Sequence, residues 1–101
     1  MSNFGLNTYQ IQQIIDKLQI FDLEAIILFG SRARGDFKPG SDVDLAFKGN
    51  LDLLTLARIK FILEEETNLP YFFDVINYNS LNNLDLKEQI DTQGQVLWQK
   101  T

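Results

Sequence analysis

The apolar positions change period several times along the chain, and each change marks an element. Ile11, Ile14, Ile15 and Leu18 fall at i, i+3, i+4 and i+7, the stripe of an amphipathic helix, which predicts a helix over residues 9–18. Residues 24–29 form a short apolar run closed by a glycine and predict a strand buried on both faces. Residues 31–34 predict the start of a short helix. The stretch "DFKPGS" is turn chemistry, with Pro39-Gly40 its strongest breaker. Over residues 42–48 the period drops to two, so Val43, Leu45 and Phe47 face one way and Asp42, Asp44 and Ala46 the other. Residues 53–66 return to a helical pattern that Leu69-Pro70 ends. A third strand follows at 71–77. "SLNNLDLKEQIDTQG" holds a helix stopping near Gly94, and residues 96–98 predict a last short strand. The order α-β-(α)-β-α-β-α-β specifies a mixed α/β or α+β domain, with helices packed on a small mixed β-sheet.

Composition narrows this picture. With 101 residues, 1–101 is expected to be a single domain, and 45% apolar content suits a folded core. The chain has no cysteine and no histidine, which excludes disulfides, thiolate or imidazole metal sites and histidine general bases. A formal net charge of −5 makes autonomous nucleic-acid binding unexpected, because neutralising phosphates needs clustered Lys and Arg. No apolar run approaches the roughly 20 residues of a membrane span. The N-terminal "MSNFGLNTYQ" shows no basic-then-apolar leader pattern, so a cytoplasmic location is expected.

The candidate chemistry lies in "FGSRARGDFKPGSDVDLAF". Asp42 and Asp44 are two apart in a strand pattern, so their carboxylates share a face with Val43 anchored behind them. Like charges that close are unfavourable unless a cation sits between them, and Mg²⁺ prefers carboxylate and phosphate oxygens. Asp74 interrupts the apolar strand "YFFDVINY", where an unpaired carboxylate is costly to bury. On the Asp42/Asp44 face of a neighbouring strand it completes a three-carboxylate site suited to two-metal phosphate chemistry. Gly30 closes a strand and Ser31 opens a helix, which lets backbone N–H groups approach a phosphate. Arg34 can reach a β- or γ-phosphate as a forked donor, and Arg32 is a weaker candidate for that work. Taken singly, each feature has a bland reading. Asp-x-Asp pairs are usually solvated, Arg32 and Arg34 could pair with Asp36 at the surface, and Asp74 could be an edge-strand residue. Phosphate-holding donors followed by cation-holding acceptors is the layout for phosphoryl or nucleotidyl transfer.

The pattern apolar-Gly-Ser, a ten-residue spacer, then Asp-x-Asp resembles the nucleotidyltransferase superfamily that includes DNA polymerase beta. The fuller "GSRARG…SDVDL" is similar to its minimal nucleotidyltransferase (MNT) family, and "FFDVINY" and "LKEQIDTQGQVLWQK" extend the likeness across most of the chain. The resemblance implies a polymerase-beta-like palm. It implies Asp42, Asp44 and Asp74 as catalytic Mg²⁺ ligands, with two ions expected, and Gly30, Ser31 and Arg34 as holders of the triphosphate. It further implies ATP as donor and a HEPN-domain RNase toxin as partner and acceptor of AMP, with this chain as the antitoxin. An antitoxin acting by binding alone and a small-molecule nucleotidyltransferase are the competing readings. The larger relatives' acceptor domains have no room in a chain of this length, so the acceptor site is expected to come largely from a partner.

The helix at 53–66 bears on that partner. Leu56, Ile59, Ile62 and Leu63 form its main apolar stripe, whereas Leu54, Ala57 and Phe61 form a second set. That set is expected either to bind another chain or to pack between two internal elements.

Overall fold

The computed structural model describes residues 4–101. Residues 1–3, part of the stretch read for a leader, lie outside the described residues. Helix α1 (Thr8–Lys17) starts where Asn7 and Gln10 cap each other. Asn7 Oδ1 accepts from Gln10 N at 2.8 Å, and Gln10 Oε1 accepts from Asn7 N at 3.0 Å. Strand β1 (Leu23–Phe29) runs into the four-residue helix α2 (Ser31–Arg34), and a loop leads to strand β2 (Val43–Gly49). Helix α3 (Leu53–Glu65) is capped by Asp52, whose carboxylate accepts from Thr55 N at 2.7 Å and is thereby held below its ordinary pKa. Strand β3 (Phe73–Asn77), a 3-10 turn (Tyr78–Ser80), helix α4 (Leu84–Gln93) and strand β4 (Gln95–Gln99) complete the chain.

The sheet order is β3-β2-β1-β4. β1 is antiparallel to both β2 and β4, and β2 is parallel to β3 through the α3 crossover. One face carries the larger core. There Ile26 and Leu28 of β1, Val43, Leu45 and Phe47 of β2 and Phe73 of β3 meet Ile14 and Leu18 from the α1 side and Ile59 and Leu63 of α3. The opposite face has a smaller core, in which Ala25, Ile27, Phe29 and Ala46 are buried with Ile90 of α4. The sequence-predicted alternation in β2 therefore holds on both sides: Val43, Leu45 and Phe47 enter one core and Ala46 the other.

Three expectations are adjusted. β3 begins at Phe73, two residues later than the pattern suggested, and the 3-10 turn was not anticipated. A three-residue turn leaves no periodic signal to read. The second apolar set of α3 is not packed internally: Leu54 is 72% and Phe61 58% exposed, and Ala57 is also exposed. No helix among the described residues is long and apolar enough to cross a membrane.

Candidate active site

The parallel pairing of β2 with β3 sets Asp44 directly beside Asp74, as it sets Val43 beside Phe73 one position earlier. Val43 and Phe73 are fully buried in the larger core, so the two aspartates must point to the opposite face. Asp42 immediately precedes β2, two residues before Asp44. Asp44 is half-buried, whereas Asp42 and Asp74 are exposed. Register thus sets Asp44 and Asp74 side by side on one face of neighbouring strands, and Asp42 lies just ahead of β2.

β1 brings the glycine-serine element to the same place. Phe29 pairs with Asp44, and the next residue, Gly30, turns the chain at φ 76° and ψ −154°. A Cβ on Gly30 would lie 2.2 Å from Asp44 Oδ2, so the glycine is required both by its left-handed φ and by the carboxylate against it. Ser31 opens α2, whose N-terminus has no side-chain cap. The first backbone N–H groups of a helix have no intrahelical acceptor, and these start next to Asp44.

The two arginines of "SRAR" have separate fates. Arg34 lies at the surface with its side chain 34% exposed, and its Nε is 3.3 Å from Asp36 Oδ2. Arg32 is 2% exposed and is not a phosphate donor at the surface. Its Nε and Nη2 donate to the Ser41 carbonyl at 3.3 and 2.8 Å, and Nη1 donates to the Phe4 carbonyl at 2.9 Å. Its guanidinium sits over the rings of Phe37 and Tyr71, 5.0 and 4.6 Å from their centroids. The sequence reading missed this role because the groups enclosing Arg32 come from positions 4, 37, 41 and 71, and no local spacing links them.

Electrostatics point the same way. The Asp44 carboxyl is pushed above the ordinary aspartate range, first by burial, then by the negative charges of Asp74 and Asp42. Arg34 and Arg32 pull it partly back. Among the described residues, none of the three aspartates is in an ion pair. Nor are three acidic side chains gathered there into a ready ion cage. A groove of about 550 Å³ runs beside β3 and is lined by residues including Leu51, Leu56, Val75 and Leu81, but the aspartates do not line it.

β3 is further held by α3. Glu64 Oε2 accepts from Phe73 N at 2.7 Å and from Lys60 Nζ at 3.1 Å, and Lys60 also donates to the Phe73 carbonyl. The Phe73 N–H, and to a lesser extent Lys60, hold the Glu64 carboxyl below its ordinary pKa. These contacts fix the residue just before Asp74.

This arrangement matches known proteins over nearly the whole chain. The family described as "Polymerase beta, Nucleotidyltransferase" matches residues 10–101. The chain belongs to that family. A candidate protein adenylyltransferase of Methanocaldococcus jannaschii is 38% identical over 81 residues, covering 78% of this chain and 84% of that protein. A solved toxin–antitoxin structure with AMP-PNP superposes with TM-score 0.76 at 28% identity, covering 90% of this chain and 74% of that one. The complex of a tri-AMPylated Shewanella oneidensis HEPN toxin with its MNT antitoxin gives TM-score 0.70 at 26% identity, covering 91% and 71%. The fold is accordingly the polymerase-beta-like palm, the chain is homologous to MntA-type antitoxins, and its enzymatic class is nucleotidyltransferase.

Proposed function

We propose that this chain transfers AMP from ATP to a hydroxyl group on a HEPN-domain toxin and thereby acts as its antitoxin. The observation that carries the reading is the register that sets Asp44 beside Asp74 while Gly30 packs against Asp44. That juxtaposition supports reading the aspartates as oxygen ligands beside a phosphate-holding turn at Gly30-Ser31. The relatives supply the rest: one is an MNT antitoxin bound to an AMPylated HEPN toxin, and another is a toxin–antitoxin structure with an ATP analogue.

The residues fit Mg²⁺. The donor set is all carboxylate, it lacks ion-pair partners among the described residues, and burial first, then the charges of Asp74 and Asp42, raise Asp44. Asp42, Asp44 and Asp74 would hold the cation, with two ions expected. When bound it supplies charge neutralisation of the triphosphate and a lower pKa for the acceptor hydroxyl. The chain's own groups do the positioning. Backbone N–H groups at Gly30 and Ser31 and the Ser31 hydroxyl donate to triphosphate oxygens. Arg34, weakly tied to Asp36 at the surface, turns its guanidinium to the β- or γ-phosphate. The acceptor oxygen attacks the α-phosphorus, the bond to the β-phosphate oxygen breaks, and pyrophosphate leaves. The acceptor's proton passes to a carboxylate of the cluster. Asp74 is exposed on the edge strand and so open to a second chain. The exposed Leu54 and Phe61 of α3 give a partner an apolar surface to cover, which an antitoxin acting by binding alone would also use.

Label transfer tests the reading. The purified protein is incubated with Mg²⁺ and α-phosphate-labelled ATP in lysate of its host, beside the Asp42→Asn/Asp44→Asn double variant. A labelled protein band formed only by the wild type, with a mass increase of AMP, is expected. No label with either, while both capture the same HEPN protein, would establish binding alone. Label on a small molecule, formed without any second chain, would replace the protein acceptor.

A further inference from the structure

Arg32 is the one buried charged side chain among the described residues, and its surroundings are unusual for a cation so close to three aspartates. It forms no ion pair with any of them. Instead Nε and Nη2 fork onto one acceptor, the carbonyl of Ser41, and Nη1 reaches the carbonyl of Phe4. Ser41 is itself a node. Its N–H donates to the Lys38 carbonyl at 3.0 Å and its Oγ accepts from Lys38 N at 2.9 Å, which folds the preceding loop onto it. The residue after it is Asp42.

The stacking partners extend the same pattern. Phe37 belongs to the loop between α2 and β2, and Tyr71 lies three residues before Asp74. Gly5 closes the cover: a Cβ there would fall 2.5 Å from Arg32 Nη1, so only a glycine lets the N-terminal turn lie on the guanidinium. Arg32 itself follows Ser31. One side chain therefore touches the segments that deliver Gly30 and Ser31, Asp42 and Asp74. An apolar side chain between two rings would fill the same space without the cost of burying a charge. What only a planar fork can do is bind the Ser41 carbonyl with two donors while keeping the three carboxylates free.

We propose that Arg32 is a positioning residue that sets the spacing of the carboxylates by holding the Ser41 carbonyl two residues ahead of β2. This rests on the reading of Asp42, Asp44 and Asp74 as cation ligands. Loss of the fork releases the Asp42 end of β2 from Gly30-Ser31, and the cation then has to order that segment itself.

The test is Mn²⁺ titration of the metal-free full chain, followed by the electron paramagnetic resonance of free Mn²⁺, for wild type, Asp44→Asn, Arg32→Met and Arg32→Lys. The signal that counts is the binding Asp44→Asn abolishes. Arg32→Met is expected to weaken it roughly 10- to 100-fold, the usual effect of losing a group that orients metal ligands. Arg32→Lys keeps the charge and stem but not the fork, and is expected to fall between. If Arg32→Met fails to fold, Arg32→Lys, read below its melting temperature, decides alone. Wild-type affinity in Arg32→Lys overturns the proposal, as does a lower melting temperature in Arg32→Met with unchanged affinity. A wild type that binds no Mn²⁺ at the aspartates overturns the metal reading and this inference with it, an outcome distinct from the other two.

Discussion

The two ends of one sheet face are built from the same strands and do opposite work. At one end Ala46, Ile27 and Ala25 lie under Ile90 of α4. At the other, only two residues back along β2, Asp44 takes the place of Ala46 on that face, and on β3 Asp74 precedes Ile76 in the same way. β2 and β3 do not change direction or register between them. A single alternation in side chain converts a packed surface into a charged one, and α4 covers only the apolar part. The difference teaches that the palm is a stability device at one end and the proposed site at the other, with the boundary one pleat wide.

The strongest way to break the comparison is at the charged end. Asp44→Asn is expected to lower AMP transfer by more than about a hundredfold, since even groups behind a metal ligand are worth 10 to 100. Its melting temperature in metal-free buffer at neutral pH should be equal to or above that of the wild type, because a repelled, partly buried carboxylate is removed. At the covered end Ile90→Ala should behave inversely. It costs about 2–5 kcal/mol of stability by urea unfolding, with transfer per folded molecule retained. Gly30→Ala sits on the boundary. It should cost about 1–3 kcal/mol for a non-glycine residue at positive φ, and transfer should fall as well because the new methyl displaces Asp44.

The smallest effect sharpens the comparison through pH. Glu64, which holds β3 beside the site, has its carboxyl depressed below its ordinary value. A depressed carboxyl stabilises the folded state fully above its unfolded pKa and loses that contribution as pH falls through the lower, folded value. The stability gap between wild type and Glu64→Gln should therefore be constant at neutral pH and close on acidification below the ordinary glutamate range. A gap independent of pH would mean that the Glu64 carboxyl titrates alike in the folded and unfolded chain, so that the contacts with Phe73 and Lys60 do not depress it.

The order of elements was legible because each one announces its own period. The i, i+3, i+4 stripe of α1 and the alternation of β2 are local signals, and so is the Gly-Ser turn after β1. The candidate aspartates could be named for the same reason: a charge inside an apolar strand stands out at Asp74, and Asp-x-Asp shares a face by geometry. Their pairing was not local. Asp44 meets Asp74 only because β2 and β3 run parallel in that register. Arg32 was misjudged as a lesser copy of Arg34, although the two differ in almost every contact, because burial is decided by Phe37, Tyr71 and the Phe4 turn arriving from elsewhere. The exposure of Phe61 was likewise undecidable from a helix pattern with two apolar sets, since only the position of the sheet chooses between them.

The clamp of Lys60 and Glu64 on Phe73 has a consequence for association. β3 is the outer strand of the sheet, and the N–H and C=O of Phe73 point away from β2. In an unprotected edge these groups would template pairing with any extended chain. Here both are already occupied by charged side chains from α3, one donor and one acceptor. A second molecule cannot extend the sheet from the start of β3 without displacing them. β3 is thus closed to strand addition at its first position, and a chain approaching the proposed site would meet Asp74 without being drawn into the sheet there.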